Sequence, residues 1–68
     1  MSTLTIVTKI ARQVEGEYVF VSVLGAFKNI ENVDPFVKKQ KIKPTEVINN
    51  IPCIVEIGVI ENVEILDE

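Results

Sequence analysis

Few residues of this 68-residue chain have the types and spacing that chemistry needs. Histidine is absent and Cys53 is the one cysteine. A nucleophilic thiol needs a basic neighbour to hold it as thiolate, and the commonest such base is missing. Cys53 therefore reads as an inert core thiol. The same counts exclude a thiol-rich or imidazole-rich metal site, so no metal and no cofactor is expected. Glu15/Glu17 and Glu61/Glu64 are paired carboxylates, the type that general acid–base work uses. They fall at expected turn or edge positions, with no cleft to shield them from water. The glycines stand singly at 16, 25 and 58, which rules out a glycine-rich phosphate loop. The chain reads as a binding protein and not an enzyme.

The binding candidates are cationic and aromatic. Phe36-Val-Lys-Lys-Gln-Lys-Ile-Lys43 holds Lys38, Lys39, Lys41 and Lys43 within six residues. Lysines in a row can track a phosphate backbone by releasing counterions, and aromatic rings can stack unpaired bases. Tyr18, Phe20 and Phe27 are the aromatic candidates. If Val19, Val21 and Val23 face the core, the side Tyr18-Phe20-Ser22-Leu24 turns its rings outward, as base-stacking small barrels do. The plainer readings are a solvated helix end for the lysines and a second buried face for the rings.

Charge is segregated along the chain. Residues 1–26 are neutral, residues 27–43 carry net +3, and residues 44–68 hold six acids and no base, for −3 in all. Glu61, Glu64, Asp67 and Glu68 form an acidic end, which suits either competition with nucleic acid or protection of a strand edge. A curved sheet, a basic connection and an acidic end are similar in layout to small single-strand binders of phages and plasmids. That layout implies single-stranded nucleic acid as partner. The alternative is a protein-binding accessory or inhibitor, also of the mobile-element type, acting through an exposed strand or an acidic surface.

The elements that must position these residues are mostly strands. The apolar mass is largely Val and Ile, which favours β structure. Thr3 to Val14 alternates, with Leu4, Ile6 and Ile10 on one side and Thr5, Val7 and Lys9 on the other. Glu15-Gly16-Glu17 is a turn, and Tyr18 to Leu24 completes a hairpin. Gly25-Ala26 suits a bulge or bend. Asp34 as N-cap and Pro35 at the first helical position open a short helix that Lys43-Pro44 ends. It docks through Phe36 and Val37. Residues 45–50 fit either a helical turn or a strand, with Asn49-Asn50 as a turn signal. Cys53, Val55, Ile57 and Val59 then share one face of a strand, opposite Ile54, Glu56, Gly58 and Ile60. Glu61-Asn62 is either a tight turn before a last strand Val63 to Leu66, or part of one long bent strand.

The expectation is a single α+β domain over residues 1–68, mostly β: a small curved antiparallel sheet or OB/SH3-like barrel, β-β-α-β-β, with one short helix. A domain this small buries only about 60% of its unfolded surface. With no disulfide available, assembly into a dimer or higher homo-oligomer is the remaining source of burial. Val59, Ile60, Val63 and Ile65 are the expected interface. The start lacks a signal-peptide pattern, and no apolar run approaches the roughly 20 residues of a membrane span. With its lone thiol, the chain is expected in the cytoplasm without membrane contact.

Overall fold

A computed structural model describes residues 2–65. Four strands form one antiparallel sheet: β1 (Ser2–Gln13), β2 (Val19–Phe27), β3 (Thr45–Ile48) and β4 (Ile51–Ile65), in the order β2-β1-β4-β3. A single 3-10 turn, Ile30–Asn32, leads into one helix, α1 (Val33–Lys39). The sheet curls into a half-barrel around that helix and the segment behind it. The mostly-β, β-β-α-β-β expectation holds in this form.

The strands are not all the expected ones. Residues 45–48, open between helix and strand, are β3. Asn49 and Asn50 both take positive φ, 51° and 65°, and make the two-residue turn into β4. That backbone matches the right-handed twist of a hairpin, and asparagine tolerates it. The run from Ile51 is one strand. The step from Ile6–Ile60 to Leu4–Val63 spans two residues on β1 and three on β4. Glu61-Asn62 is therefore a bulge, with Asn62 at φ 59°, and not a turn. A second bulge falls at Leu24, between the pairs Val7–Gly25 and Thr8–Val23. Bulges sharpen twist locally, so two of them bend the long strands.

The register sorts side chains into two sides. Facing α1 are Val7, Lys9, Ala11, Phe20, Ser22, Phe27, Glu46, Cys53, Val55 and Ile57. The core lies here: Ala11, Cys53 and Val55 are buried, with Phe20, Ile42, Ile48 and Ile51 packed on them. The opposite side carries Ile6, Thr8, Ile10, Arg12, Val19, Val21, Val23, Ile54, Glu56, Gly58 and Ile60. Val19, Val21 and Val23 do not face the core, so the condition that would turn the rings of Tyr18 and Phe20 outward is not met. Ala11 and Cys53 are small, and the gap above them takes the ring of Phe20, which a valine is too short to fill.

The helix starts one residue before Asp34. Asn32 is the cap residue without a side-chain bond, and Asp34 and Pro35 sit inside the first turn. Proline is tolerated there because those N–H groups have no intrahelical acceptor. The helix stops at Lys39, earlier than Lys43-Pro44. The Gln40 N–H reaches the Val37 carbonyl, and the Gln40 side-chain amide donates to Phe36 O at 3.3 Å. Val33 is buried and Phe36 and Val37 are half-buried. The Phe36 ring tilts 58° against Phe27 at 4.9 Å.

Gly58 marks the closest approach within the sheet. A Cβ there would meet Ile10 Cδ1 at 2.6 Å and Thr8 Oγ1 at 2.9 Å. The Thr8 hydroxyl is buried and donates to the Gly58 carbonyl at 3.1 Å. Gly58→Ala is expected to lower stability by about 1–3 kcal/mol through overpacking. A chemical-denaturation midpoint unchanged from the parent would contradict this crowding.

Candidate functional site

Lys38, Lys39, Lys41 and Lys43 are all exposed. Two of them occupy the last turn of α1, where cations complement the helix dipole. The other two lie on the extended segment that returns the chain to the sheet. Its path is fixed by Ile42, which packs on the core, and by the Val55 N–H, which donates to the Pro44 carbonyl at 2.9 Å. Lysines flanking a half-buried isoleucine are thereby held outward.

Lys41 and Lys43 meet Lys9 around an open cleft of about 350 Å³, together with Ile42 and Glu46. Lys9 was not among the candidates read from the sequence. It is half-buried on β1, and its ammonium pairs with Glu46 of β3. β4 lies between those two strands, so the bridge spans a strand, which the curl of the sheet makes possible. No sequence pattern announces a pair that depends on curvature. The pair is only partly shielded, so it contributes at most about 1 kcal/mol. Its effect on the cleft is larger: it leaves the cations of Lys41 and Lys43 facing one neutralised pair.

A second open cleft, of about 420 Å³, is lined by Val14, Lys43, Thr45, Glu46, Val47, Pro52 and Cys53. It places Lys43 at the end of the sheet where β1 turns into β2. Tyr18 belongs to the same end. Its carbonyl accepts from the Gln13 N–H at 2.9 Å, and the neighbouring Val14 N–H donates to Pro52 O at 3.1 Å. Tyr18 is 68% exposed and is the one aromatic candidate with an open ring. Phe20 packs on the core and Phe27 packs on Phe36. Tyr18 and Lys43 thus fall at the same end of the sheet, Lys41 and Lys43 share a cleft, and the rings of Phe20 and Phe27 are half-buried on the helix side.

The expected interface residues divide. Ile60, Val63 and Ile65 pair with outward positions of β1, whereas Val59 pairs with Val7 on the helix side. Val59 and Ile60 are exposed, and Val63 and Ile65 are half-buried. The apolar outer surface extends further, through Val19, Val21, Val23 and Ile54, all exposed. Its charges are few, and Arg12 donates to Glu56 at 3.1 Å within it. The alternation of β2 carried this signal, but either of its sides could have been the buried one.

Among the described residues no group of three metal-ligating side chains exists, and no helix is long and apolar enough to cross a membrane. Glu61 and Glu64 are exposed on β4, and Asp67 and Glu68 lie outside the described residues. Comparison with protein-family models, curated proteins and solved structures finds no match.

Cys53 is 1% exposed, and its thiol points at the Ile51 carbonyl at 3.4 Å. A colorimetric disulfide reagent is expected to label it only as denaturant opens the fold, with a labelling rate that tracks unfolding. Rapid stoichiometric labelling of native protein would contradict its burial.

Proposed function

We propose that the protein is a non-enzymatic binding module that works as a homo-oligomer and holds single-stranded nucleic acid along its lysine segment. The observation that supports this reading is the set of exposed cations Lys38, Lys39, Lys41 and Lys43. None of them is paired with a carboxylate among the described residues. Tyr18 stands at the same end of the sheet as Lys43 and offers one ring for stacking. The lysines carry no base readout, so binding is sequence-tolerant and strongly salt-dependent. The oligomer half of the reading is supported by the exposed valines and isoleucines of the outer sheet side. The lone buried thiol suits the reducing environment of a cytoplasm.

A second reading has its own support. The outer side is apolar and nearly neutral, with Arg12 and Glu56 already paired. A protein partner laid on that surface would make the chain an accessory or inhibitor with no nucleic-acid role.

Titration of a labelled single-stranded oligonucleotide separates the two. Four lysine contacts give a slope of log affinity against log salt of about −3. Lys38→Ala/Lys39→Ala/Lys41→Ala is expected to flatten it to about −1 while leaving the fold intact, since these side chains are solvated. No binding at low salt to single or double strands would leave the protein-partner reading. Tyr18→Ala is expected to weaken binding by about 1–3 kcal/mol without changing the slope, as loss of one stacking platform does.

A further inference from the structure

The two edges of the sheet are built differently. β3 is four residues long, carries Glu46, and begins directly after Pro44. Short length, charge and proline are the means by which monomeric proteins close an edge to strand addition. β2 has none of these three: nine residues, Val-Phe-Val-Ser-Val-Leu-Gly-Ala-Phe, without charge or proline, and its one bulge, at Leu24, leaves Val19 to Val23 regular. Its backbone orientation follows from one hydrogen bond. Gln13 N–H donates to Tyr18 O, so Tyr18 turns its carbonyl toward β1. Groups alternate along a strand. Up to the bulge at Leu24, Val19, Val21 and Val23 therefore direct both N–H and C=O away from β1. The same three side chains stand on the apolar outer side at 48%, 60% and 68% exposure. Open ladder groups and open side chains coincide on three consecutive alternate residues.

We propose that two copies of this chain join edge to edge through β2, antiparallel about a two-fold axis at Val21. In that register Val21 faces its own counterpart and Val19 faces Val23, which forms about six backbone hydrogen bonds. Cross-strand valine pairs fill the outer side. On the inner side each Phe20 ring lies beside the counterpart of Ser22, a large group against a small one. The occupant is a second copy because a self-paired edge closes. An uncharged strand pairs with itself without repulsion, each copy uses the same edge, and the joined sheet of eight strands ends at each side on the short β3 and on the stretch of β4 beyond Ile54, which carries Glu56, Glu61 and Glu64. A foreign strand would satisfy one chain alone. An axis normal to the sheet keeps like sides together, so both lysine segments face the same way and the two apolar outer sides merge. The pairing rests on the oligomer half of the proposed function and not on its ligand.

The test is sedimentation equilibrium at micromolar concentration. The parent is expected at twice the 7.6 kDa chain mass. Val21→Pro is expected at the single-chain mass with its far-UV strand signal kept, because the lost N–H serves no bond within the chain and proline is tolerated on a free edge. Ile54→Lys, on the outer side but off the edge, is expected to stay paired. A Val21→Cys variant covers the case in which the proline variant fails to fold. Residues opposed across such a pair stand about 5.5 Å apart at Cα, within disulfide range. Mild oxidation is expected to give a reducible dimer at least tenfold faster for Val21→Cys than for Ile54→Cys. A paired Val21→Pro, or faster cross-linking at position 54, would overturn the edge pairing and leave oligomerisation standing. A monomeric parent would overturn both.

Discussion

β1 and β4 pair over eleven positions, from Gln13–Cys53 to Ser2–Ile65, and no other ladder joins so much of the chain. The core sits on this ladder: Ala11 opposes Val55 and Val7 opposes Val59. Its central residues are small, which draws Phe20 and Ile42 down from either flank. At the crowded Gly58, Thr8 holds a buried hydroxyl on the carbonyl across the strands. β2 and β3 are attached to the ladder from outside. The basic cleft exists because β3 and the segment before it are carried round by β4 until Glu46 meets Lys9.

A half-barrel has one interior, and the molecule uses it fully on the helix side. The other side keeps its valines and isoleucines in contact with water. In a larger domain a second layer would cover them. The division of labour follows from that asymmetry. The lysine segment and the open tyrosine belong to the helix side or its rim, and most of the exposed strand valines and isoleucines belong to the outer side, where, among the described residues, the one cation, Arg12, is paired with Glu56. The lysine segment and the exposed valines of β2 therefore do not share a surface.

Much of this was legible in the residues. Alternation placed Cys53 and Val55 on one face and Ile54 and Glu56 on the other, and the structure keeps that division. Asn49-Asn50 announced a turn, and Gly16, at φ 138°, takes the backbone freedom expected of it. Three things resisted reading. β2 is apolar on both sides, so composition could not say that Phe20 goes in and the valines stay out. The answer depends on the small residues it crosses, more than 30 positions away in the case of Cys53. Glu61-Asn62 carries a turn signal, yet β1 runs on as far as Ser2 and gives the chain a partner past that point, so the kink becomes a bulge. The Lys9–Glu46 pair arises from curvature, which no local pattern encodes.

The long ladder also has a consequence in time. Its paired residues are separated by 40 or more positions along the chain, so closing it costs far more loop entropy than either hairpin. Folding speed falls as contacts become less local, and this small chain has a slow topology for its length. During synthesis β1 and β2 leave the ribosome well before β4. Until the residues around Cys53 emerge, the β1–β2 hairpin carries its apolar faces uncovered. The asparagine turn that starts β4 as a hairpin with β3 shortens that interval, since it offers the arriving strand a local partner while it searches for β1.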